Sequence, residues 1–305
     1  MKKTYSELDV LIVGSAGIDT SVFFPEDGWN HQVESNFTSD IDYVGQAGGY
    51  CSRSMAQLGL RTGYIGYIGN DWNGEFIRHE LETDGVECLF FIDPAGTQRS
   101  VNLMAPDGSR RNFYDGRGTH HLIPDLESCA ALIRKSRLVH FSIQNWCRRL
   151  LPIAAAERKR ISCDIQDVVD ISDPYRQNFI DAAEILFFSS VNLKDPDASI
   201  RFLMERNPSQ VIICGMGKQG CKMGLQGQIR AFPAVELDRP IIDTNGAGDG
   251  LACGFLAAYG LDGYSPEDAV LRAQITARYT CSLRASSSNL IRREQLDAYY
   301  RQLKS

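Results

Sequence analysis

The segment from Pro240 to Phe255, PIIDTNGAGDGLACGF, constrains the fold of this chain more than any other stretch. An apolar approach, a glycine-rich turn and an apolar run follow one another, which predicts a strand, a turn and a helix. Small residues in such a turn let the backbone approach a ligand closely, and the amide groups that begin a helix attract anions. A carboxylate, Asp249, follows at once. The segment therefore predicts an α/β fold with an anion-binding turn.

The same turn contains the groups that phosphoryl transfer requires. If an alcohol and the terminal phosphate of a nucleotide meet there, Asp249 can accept the proton of the hydroxyl group. The amide groups of Gly246, Ala247 and Gly248 can stabilise the charge on the transferring phosphoryl group. The alternative is a plain connecting loop with a capping glycine and a capping Asp.

Two glycine-rich segments resemble the signatures of one family. The sequence DTNGAGD, from Asp243 to Asp249, is similar to the C-terminal signature of the ribokinase-like (PfkB) carbohydrate kinases. The segment from Gly45 to Gly85, in which Gly48 and Gly49 open a predicted helix, resembles their N-terminal signature. Two ordered signatures roughly 200 residues apart are far more specific than either alone. The resemblance implies one domain over residues 1–305, with a three-layer α/β/α core, a mostly parallel central sheet and a small β-sheet lid.

The lid is expected to be discontinuous in sequence, covering about residues 20–46 and 97–117. Partial alternation near Ile41 to Val44 is typical of a strand, and Pro106 to Ser109 is a turn signal between two strand-like runs. Closing such a lid would exclude water, which competes with the sugar for the phosphoryl group. The sheet could also serve dimerisation. We predict a homodimer through the lid, because pairing would cover its strand edges.

The resemblance also implies a set of substrate-binding residues. Asp19 follows a short apolar run, Asp9 to Gly14, that predicts a buried parallel strand ending at the ligand side of the sheet. The family uses an Asp at the matching place to bind substrate hydroxyl groups. Gly48 and Gly49 would direct the positive end of a helix at the substrate. Arg53 stands where the family commonly has Asn, and an arginine favours an acidic or phosphorylated sugar. Further arginines of the lid could add to this preference or could be solvated surface charges: Arg99, Arg110, Arg111 and Arg117.

Nucleotide-binding residues are implied in the same way. Gly217 and Gly220 lie in a predicted strand, turn and strand that resembles the turn near the nucleotide in the family. Ser189 follows another predicted strand, and Asn289 lies in the last loop, which borders the adenine in the family. The implied cofactors are ATP and Mg²⁺, with K⁺ as a further cation near Asp243.

The magnesium motif of the family, Asn-x-x-Glu, is altered in this chain. Ser189 replaces its Asn and Asn192 replaces its Glu. Loss of the carboxylate removes a charge that would orient metal-bound water, so slower or absent catalysis is one expectation. Asp195 or Asp197 could instead supply the missing carboxylate. Asp164 and Gln166 follow a predicted core strand, either facing the active site or in an exposed loop.

Composition excludes several other classes of function. The formal net charge of -6 offers no general attraction for nucleic acid or an anionic membrane. No segment reaches the ~18 uninterrupted apolar residues of a membrane span. The nine cysteines form no C-x-x-C pair, and most lie in apolar runs, which indicates reduced thiols and a cytoplasmic protein.

These observations favour ATP-dependent phosphorylation of a primary hydroxyl group on a sugar or sugar derivative, with Asp249 as the general base. A nucleoside kinase of the same fold is the nearest alternative, because aromatic residues of the lid could stack on a base. A catalytically impaired homologue that binds a sugar or nucleotide is another. A dehydrogenase is disfavoured, since the glycines after the first predicted strand, Gly14 and Gly17, do not fit the spacing G-x-G-x-x-G.

Overall fold

The computed structural model describes residues 7–25, 28–30, 32–105 and 110–304. In these ranges the strands are β1 Leu8–Val13, β2 Gly17–Phe23, β3 Ser39–Gly45, β4 Thr62–Ile68, β5 Glu87–Ile92, β6 Arg99–Met104, β7 Arg110–Asp115, β8 Ser136–Phe141, β9 Arg160–Asp167, β10 Ile185–Ser189, β11 Val211–Gly215, β12 Cys221–Leu225 and β13 Gln228–Phe232. The α-helices are α1 Gln46–Gln57, α2 Trp72–Thr83, α3 Leu126–Lys135, α4 Leu151–Ala156, α5 Gln177–Ala182, α6 Pro196–Arg206, α7 Ala247–Phe255, α8 Pro266–Thr280 and α9 Arg293–Lys304. No helix in the described ranges has the length and apolar character needed to cross a bilayer.

The larger sheet has nine strands in the order β13-β12-β11-β10-β9-β8-β1-β4-β5. Its neighbours pair in parallel from β5 through to β11, whereas β12 and β13 are antiparallel. The sequence of strand β1 is continuously apolar because both of its faces are buried. Val10 and Ile12 pack with α1, α2, α7 and α8 on one face, and Leu11 and Val13 pack with α3 to α6 on the other. The predicted three-layer α/β/α core with a mostly parallel sheet is confirmed.

The smaller sheet has four strands in the order β3-β2-β6-β7. Asp19 on β2 pairs with Tyr43 on β3 and with Ser100 on β6, so both sequence segments predicted for the lid contribute to one sheet. Strand β7 then closes the other edge in antiparallel register with β6. The predicted turn at residues 106–109 lies outside the described residues. The small sheet predicted from the sequence is thus present, and its role as a lid stays a prediction.

The approach to the glycine-rich turn differs from its prediction. Residues 240–244 form no strand, and Ile241 is 62% exposed. The N–H groups of Ile242 and Asp243 instead donate to the carbonyl of Cys281, just after α8, at 2.8 and 3.2 Å. The prediction of a strand was wrong, because these N–H groups donate to the carbonyl of Cys281 and not to a neighbouring strand. The turn and the helix that follow it were predicted correctly, and a π-helix, Leu256–Asp262, extends α7.

Candidate active site

The parallel strands direct their carboxyl ends to one edge of the large sheet, where α1 and α7 begin. The loop after β1 and the first turn of α1 are in close contact there. The N–H of Gly49 donates to the carbonyl of Ser15 at 3.2 Å, and a Cβ on Gly48 would lie 2.5 Å from the same oxygen. Gly48 therefore allows the helix to approach the strand end. That Gly48 and Gly49 also contact substrate stays a prediction.

The turn before α7 presents backbone amide groups to open space. Gly246 has φ of +76°, and a Cβ there would lie 2.3 Å from the ring of Tyr50, so only glycine fits. In the described chain, the N–H groups of Gly248 and Asp249 have no backbone acceptor, and nothing lies within 4 Å of a Cβ built on Gly248. Ala247 differs from its prediction in part, because its N–H already donates to the carbonyl of Thr244 at 3.3 Å. The N–H groups available to an anion are thus those of Gly248 and Asp249, and anion binding at this turn stays a prediction.

Asp249 lies in the first turn of α7 and is half-buried. The thiol of Cys51, on α1, donates to its Oδ1 at 3.8 Å. Burial raises the pKa of Asp249 to about 7, and the negative charges of Asp164 and Asp19 add to this, while Arg110 and Cys51 oppose it. A carboxyl group with this pKa can accept and release a proton near neutral pH, as a general base must.

Asp164 is a second carboxylate near Asp249, and it lies buried in the carboxyl-terminal half of β9. Its Oδ1 accepts a hydrogen bond from the N–H of Gln166 at 2.7 Å. Burial raises the pKa of Asp164 to about 6, and the charge of Asp167 contributes. The alternative that Asp164 is an exposed loop residue is therefore wrong.

Asp19 is 4% exposed and lies opposite the glycine turn. Its Oδ2 accepts a hydrogen bond from Nδ2 of Asn245 at 3.0 Å, and the same Nδ2 contacts the hydroxyl of Tyr43. Its Oδ1 is buried with no hydrogen-bond partner among the described residues. Burial raises the pKa of Asp19, although Asn245, the N–H of Gln46 and the hydroxyl of Ser100 oppose the shift. Because a buried carboxylate oxygen without a donor is unfavourable, this atom is a natural acceptor for a ligand hydroxyl group.

Asn245 was missed by sequence reasoning, although it lies inside the glycine-rich signature. Its amide contacts three strands of the small sheet, because Arg110 on β7 donates to its Oδ1 while Asp19 and Tyr43 bind its Nδ2. The available signal was its position directly before Gly246, where a polar side chain can lie beside the ligand cleft.

Arg53 has a different environment from the one predicted. It is 4% exposed, its Nε lies 2.6 Å from Asp84 and its Nη1 lies 2.8 Å from Glu80. Nη1 also donates to the hydroxyl of Ser287 at 3.3 Å. In the free protein its guanidinium is therefore paired with two carboxylates and links α1 to α2 and to the residue that directly follows α2. A contact between Arg53 and the substrate stays a prediction.

The residues predicted to bind nucleotide lie at two places in the fold. Ser189 ends β10 and pairs in register with Gly215, the last residue of β11. Gly217 and Gly220 follow in the turn to β12 with φ of +55° and +91°, so this is the predicted strand, turn and strand. Asn289 is exposed in the loop after α8, and that loop is held to α1 by hydrogen bonds such as that from the hydroxyl of Tyr50 to the carbonyl of Ser286. Nucleotide contacts by these residues stay predictions.

The altered magnesium motif has no carboxylate of its own, and the two that follow it are already bound by other protein groups. Asn192 lies exposed in a turn after β10. Asp195 caps α6 by accepting a hydrogen bond from the N–H of Ala198, and Asp197 pairs with Lys222 at 2.6 Å. Within the described ranges, no cluster of three or more His, Cys, Asp and Glu side chains could hold a metal. Asp164, buried near Asp249, is the carboxylate that could help to hold a magnesium ion, because this ion typically binds one or two carboxylates together with substrate phosphates.

Asp243 is buried at 2% exposure in front of the glycine turn. Its carboxylate accepts hydrogen bonds from the N–H groups of Asn245 and Ala285, at 2.8 and 3.3 Å. No Lys, Arg or His in the described part of the chain forms an ion pair with it. A buried carboxylate that has only neutral donors is favourable for a monovalent cation.

Comparisons with known proteins agree with this geometry. The sequence profile described as "pfkB family carbohydrate kinase" matches residues 43–292. The acarbose 7(IV)-phosphotransferase of Actinoplanes sp. is 28% identical over 291 residues, which cover 94% of this chain and 97% of that protein. The structure of a microbiome-derived acarbose kinase is similar with a TM-score of 0.89 at 27% identity, covering 96% of this chain and 99% of that one. The ribokinase of Giardia lamblia shares the fold, with a TM-score of 0.80 at 16% identity over 98% and 100% of the two chains.

Proposed function

This chain belongs to the pfkB family of carbohydrate kinases, and we propose that it transfers the terminal phosphoryl group of ATP to a hydroxyl group of a sugar or sugar derivative, with Asp249 as the general base. The family match confirms the resemblance that the two glycine-rich signatures indicated, including the sugar kinase class. A kinase of this family uses ATP and a sugar-like small molecule.

One observation carries the proposed mechanism: a half-buried carboxyl group with a pKa of about 7 lies directly beside backbone amide groups that have no backbone acceptor. Near neutral pH, the ionised form of Asp249 can accept the proton of the attacking hydroxyl group. The N–H groups of Gly248 and Asp249 can stabilise the phosphoryl group as its oxygen atoms carry the transition-state charge.

The proton, the phosphoryl group and the leaving group are each accounted for. The acceptor oxygen forms a bond to the terminal phosphorus while its proton moves to Asp249, the bond to the bridging oxygen breaks, and ADP leaves. The free Oδ1 of Asp19 accepts a second hydroxyl group of the sugar, which orients the first toward Asp249. Closure of the small sheet excludes water from the cleft.

Two cations complete the proposal. Mg²⁺ neutralises charge on the nucleotide phosphates when it is bound, and Asp164 is the residue we assign to its surroundings, in place of the carboxylate missing at Asn192. Asp243 is the residue we assign to K⁺, because it is buried without a cationic partner. The nucleotide is assigned to the side of Ser189, Gly217 and Gly220, with Asn289 near its base, as the family resemblance implied.

The preferred acceptor is proposed to be a primary hydroxyl group on a sugar-like molecule, and acarbose is the first to test. The choice of acarbose follows from two relatives named for acarbose phosphorylation, which cover almost the whole chain, and the primary hydroxyl group follows from the family resemblance. Arg53 is paired with Glu80 and Asp84, so an acidic sugar is not the first acceptor that we propose. A nucleoside acceptor and a binding protein without turnover stay as alternatives, the latter because no carboxylate stands at the position of Asn192.

We expect a homodimer through the small sheet. Strand β7 lies at its edge with every residue exposed, including Phe113 at 54% and Tyr114 at 52%. An unpaired edge with exposed aromatic side chains is a surface that pairing between two copies would cover. Sedimentation velocity of the wild type and of Phe113→Glu tests this, and a monomer in both would contradict it.

The function is tested by ADP release from ATP and Mg²⁺ across acarbose, simple sugars, sugar acids, sugar phosphates and nucleosides. We expect turnover with one sugar-like class, and a loss of at least about 10³-fold in Asp249→Asn. Asp170→Asn, the same chemical change in an exposed turn, serves as the matched control and should keep wild-type turnover. Acceptor binding without ADP release above the level of Asp249→Asn would contradict the enzymatic proposal.

A further inference from the structure

The side chain of Asn245 is the meeting point of the small sheet and the glycine turn. Arg110 of β7 donates to its Oδ1, and its Nδ2 donates to Asp19 of β2 and contacts the hydroxyl of Tyr43 of β3. We infer that Asn245 is a positioning residue, which orients the Asp19 carboxylate and holds the small sheet against the start of α7.

The chemistry of the partners fixes the orientation of this amide. A guanidinium has only donors, so the atom of Asn245 that faces Arg110 must be the carbonyl oxygen. An ionised carboxylate has only acceptors, so the atom that faces Asp19 must be the amide nitrogen. Neither Asp nor Leu, which have nearly the same shape as Asn, could satisfy both partners. Both contacts therefore require an amide at this position.

The position of Asn245 also accounts for the free oxygen of Asp19. Because Nδ2 of Asn245 occupies Oδ2, the carboxylate is held with its Oδ1 buried and without a partner in the described part of the chain. As a neutral donor, Asn245 orients the carboxylate of Asp19 without neutralising its charge. An arginine at the same place would form an ion pair with Asp19 and compete with a substrate. The role of Oδ1 toward a sugar rests on the proposed function, but the contacts of Asn245 exist in the free protein.

Arg110 makes these contacts depend on the small sheet. Its side chain reaches from an exposed strand to the turn before α7, and its charge opposes the raised pKa of both Asp19 and Asp249. When β7 moves away from the core, Asn245 loses its only cationic partner in the described chain and its amide is no longer fixed from that side. We therefore expect the position of the small sheet and the orientation of Asp19 to be coupled.

Hydrogen–deuterium exchange of the free protein tests the contact between sheet and turn. We expect Arg110→Ala and Asn245→Ala to accelerate exchange in peptides covering β7 and β3 about fivefold, the effect of losing one hydrogen bond of ordinary strength at an exposed site. Arg111→Ala is the matched control, because it removes the same charge from the next residue of β7 and should leave exchange unchanged. Equal effects of Arg110→Ala and Arg111→Ala, or no effect of Asn245→Ala, would overturn the inference.

A pH series tests the donor role of Asn245 toward Asp19. Asn245→Asp keeps an acceptor for Arg110 but places a second carboxylate against that of Asp19, which raises the pKa values of both groups. The repulsion therefore lowers the stability of the variant at high pH, and one proton shared between the two carboxylates relieves it at low pH. The unfolding temperature of Asn245→Asp should lie about 2–4 °C below that of Asn245→Ala at pH 8, and the gap should close at pH 5. The new carboxylate also interacts with other titratable groups near this position, so the change of the gap with pH reports all of them together with Asp19, the carboxylate that Nδ2 contacts: Tyr43, Tyr50, Arg110, Asp243 and Asp249.

A gap that does not change with pH would overturn the donor role. These measurements need neither acceptor nor nucleotide, so they keep their meaning if the kinase assay fails. If the assay identifies an acceptor, Asn245→Ala should raise KM for it about tenfold with a smaller change in kcat, because binding of the hydroxyl group to Asp19 is lost. An unchanged KM alongside faster exchange would retain the contact with the sheet and reject the role in positioning Asp19.

Discussion

Replacing Asp249 with Asn should remove activity and yet stabilise the protein, with a gain that depends on pH. The folded-state pKa of Asp249 is about 7 against an ordinary value of 3.8, so burial of the ionised form opposes folding. The penalty is full above pH 7 and fades as the pH falls toward 3.8. From these two values it is at most about 4 kcal/mol at pH 8 and about 2 kcal/mol at pH 5. Solvent reaches the half-buried side chain, so the measured values should be smaller.

Thermal unfolding of wild type and Asp249→Asn at pH 8 and pH 5 measures this difference. We expect the variant to unfold about 5 °C higher at pH 8 and to keep roughly half of that gain at pH 5. Asp170→Asn, in an exposed turn, should show no gain at either pH. A loss of stability in Asp249→Asn, or a gain of the same size at both pH values, would refute the argument that burial holds this carboxyl group near neutrality.

Three further predictions follow from individual contacts. The kcat/KM of the wild type should fall about tenfold per pH unit below pH 7. Because the thiol of Cys51 donates to Asp249, Cys51→Ala should move the midpoint of this pH profile upward by a few tenths of a unit, and Cys51→Ser should move it downward. Identical profiles would exclude this contact. Gly246→Ala should destabilise the protein by at least about 2 kcal/mol in urea unfolding, since its φ is +76° and a Cβ would meet Tyr50; a change below 0.5 kcal/mol, roughly that of an ordinary surface site, would contradict it. Arg53→Ala should cost about 2–3 kcal/mol by leaving two carboxylates unpaired, without changing which acceptor class is used.

The residue patterns that predicted the fold correctly are those that depend on local chemistry. The apolar run of β1 requires burial on both faces of the sheet. The strands of the small sheet were predicted from partial alternation and a turn signal in two segments, and only the family resemblance placed these segments in one sheet. The turn at Gly246 could be predicted from its glycines, because glycine is what a positive φ and the close approach of Tyr50 both require. Such constraints act within a few residues and are visible in sequence.

Contacts between distant segments could not be predicted from sequence. Arg53 was expected to bind an anionic substrate, and its ion-pair partners in the free protein are Glu80 of the next helix and Asp84, which directly follows that helix. Asn245 contacts residues of β2, β3 and β7, which no local pattern indicates. Residues 240–244 were apolar enough for a strand, but the sequence does not specify that the backbone binds the carbonyl of Cys281 instead. In each case the partner is chosen by tertiary packing.

The most direct test of the central claim is mass spectrometry of the acceptor after incubation with ATP, Mg²⁺ and the enzyme. We predict that a sugar-like acceptor, acarbose first among them, gains one phosphate on a hydroxyl group in step with ADP formation. Asp249→Asn should form at least about 10³-fold less product under the same conditions, while Asp170→Asn should form as much as the wild type. ADP formed without a phosphorylated acceptor, or product formed equally by Asp249→Asn, would contradict the assignment of Asp249 as the base of a sugar kinase.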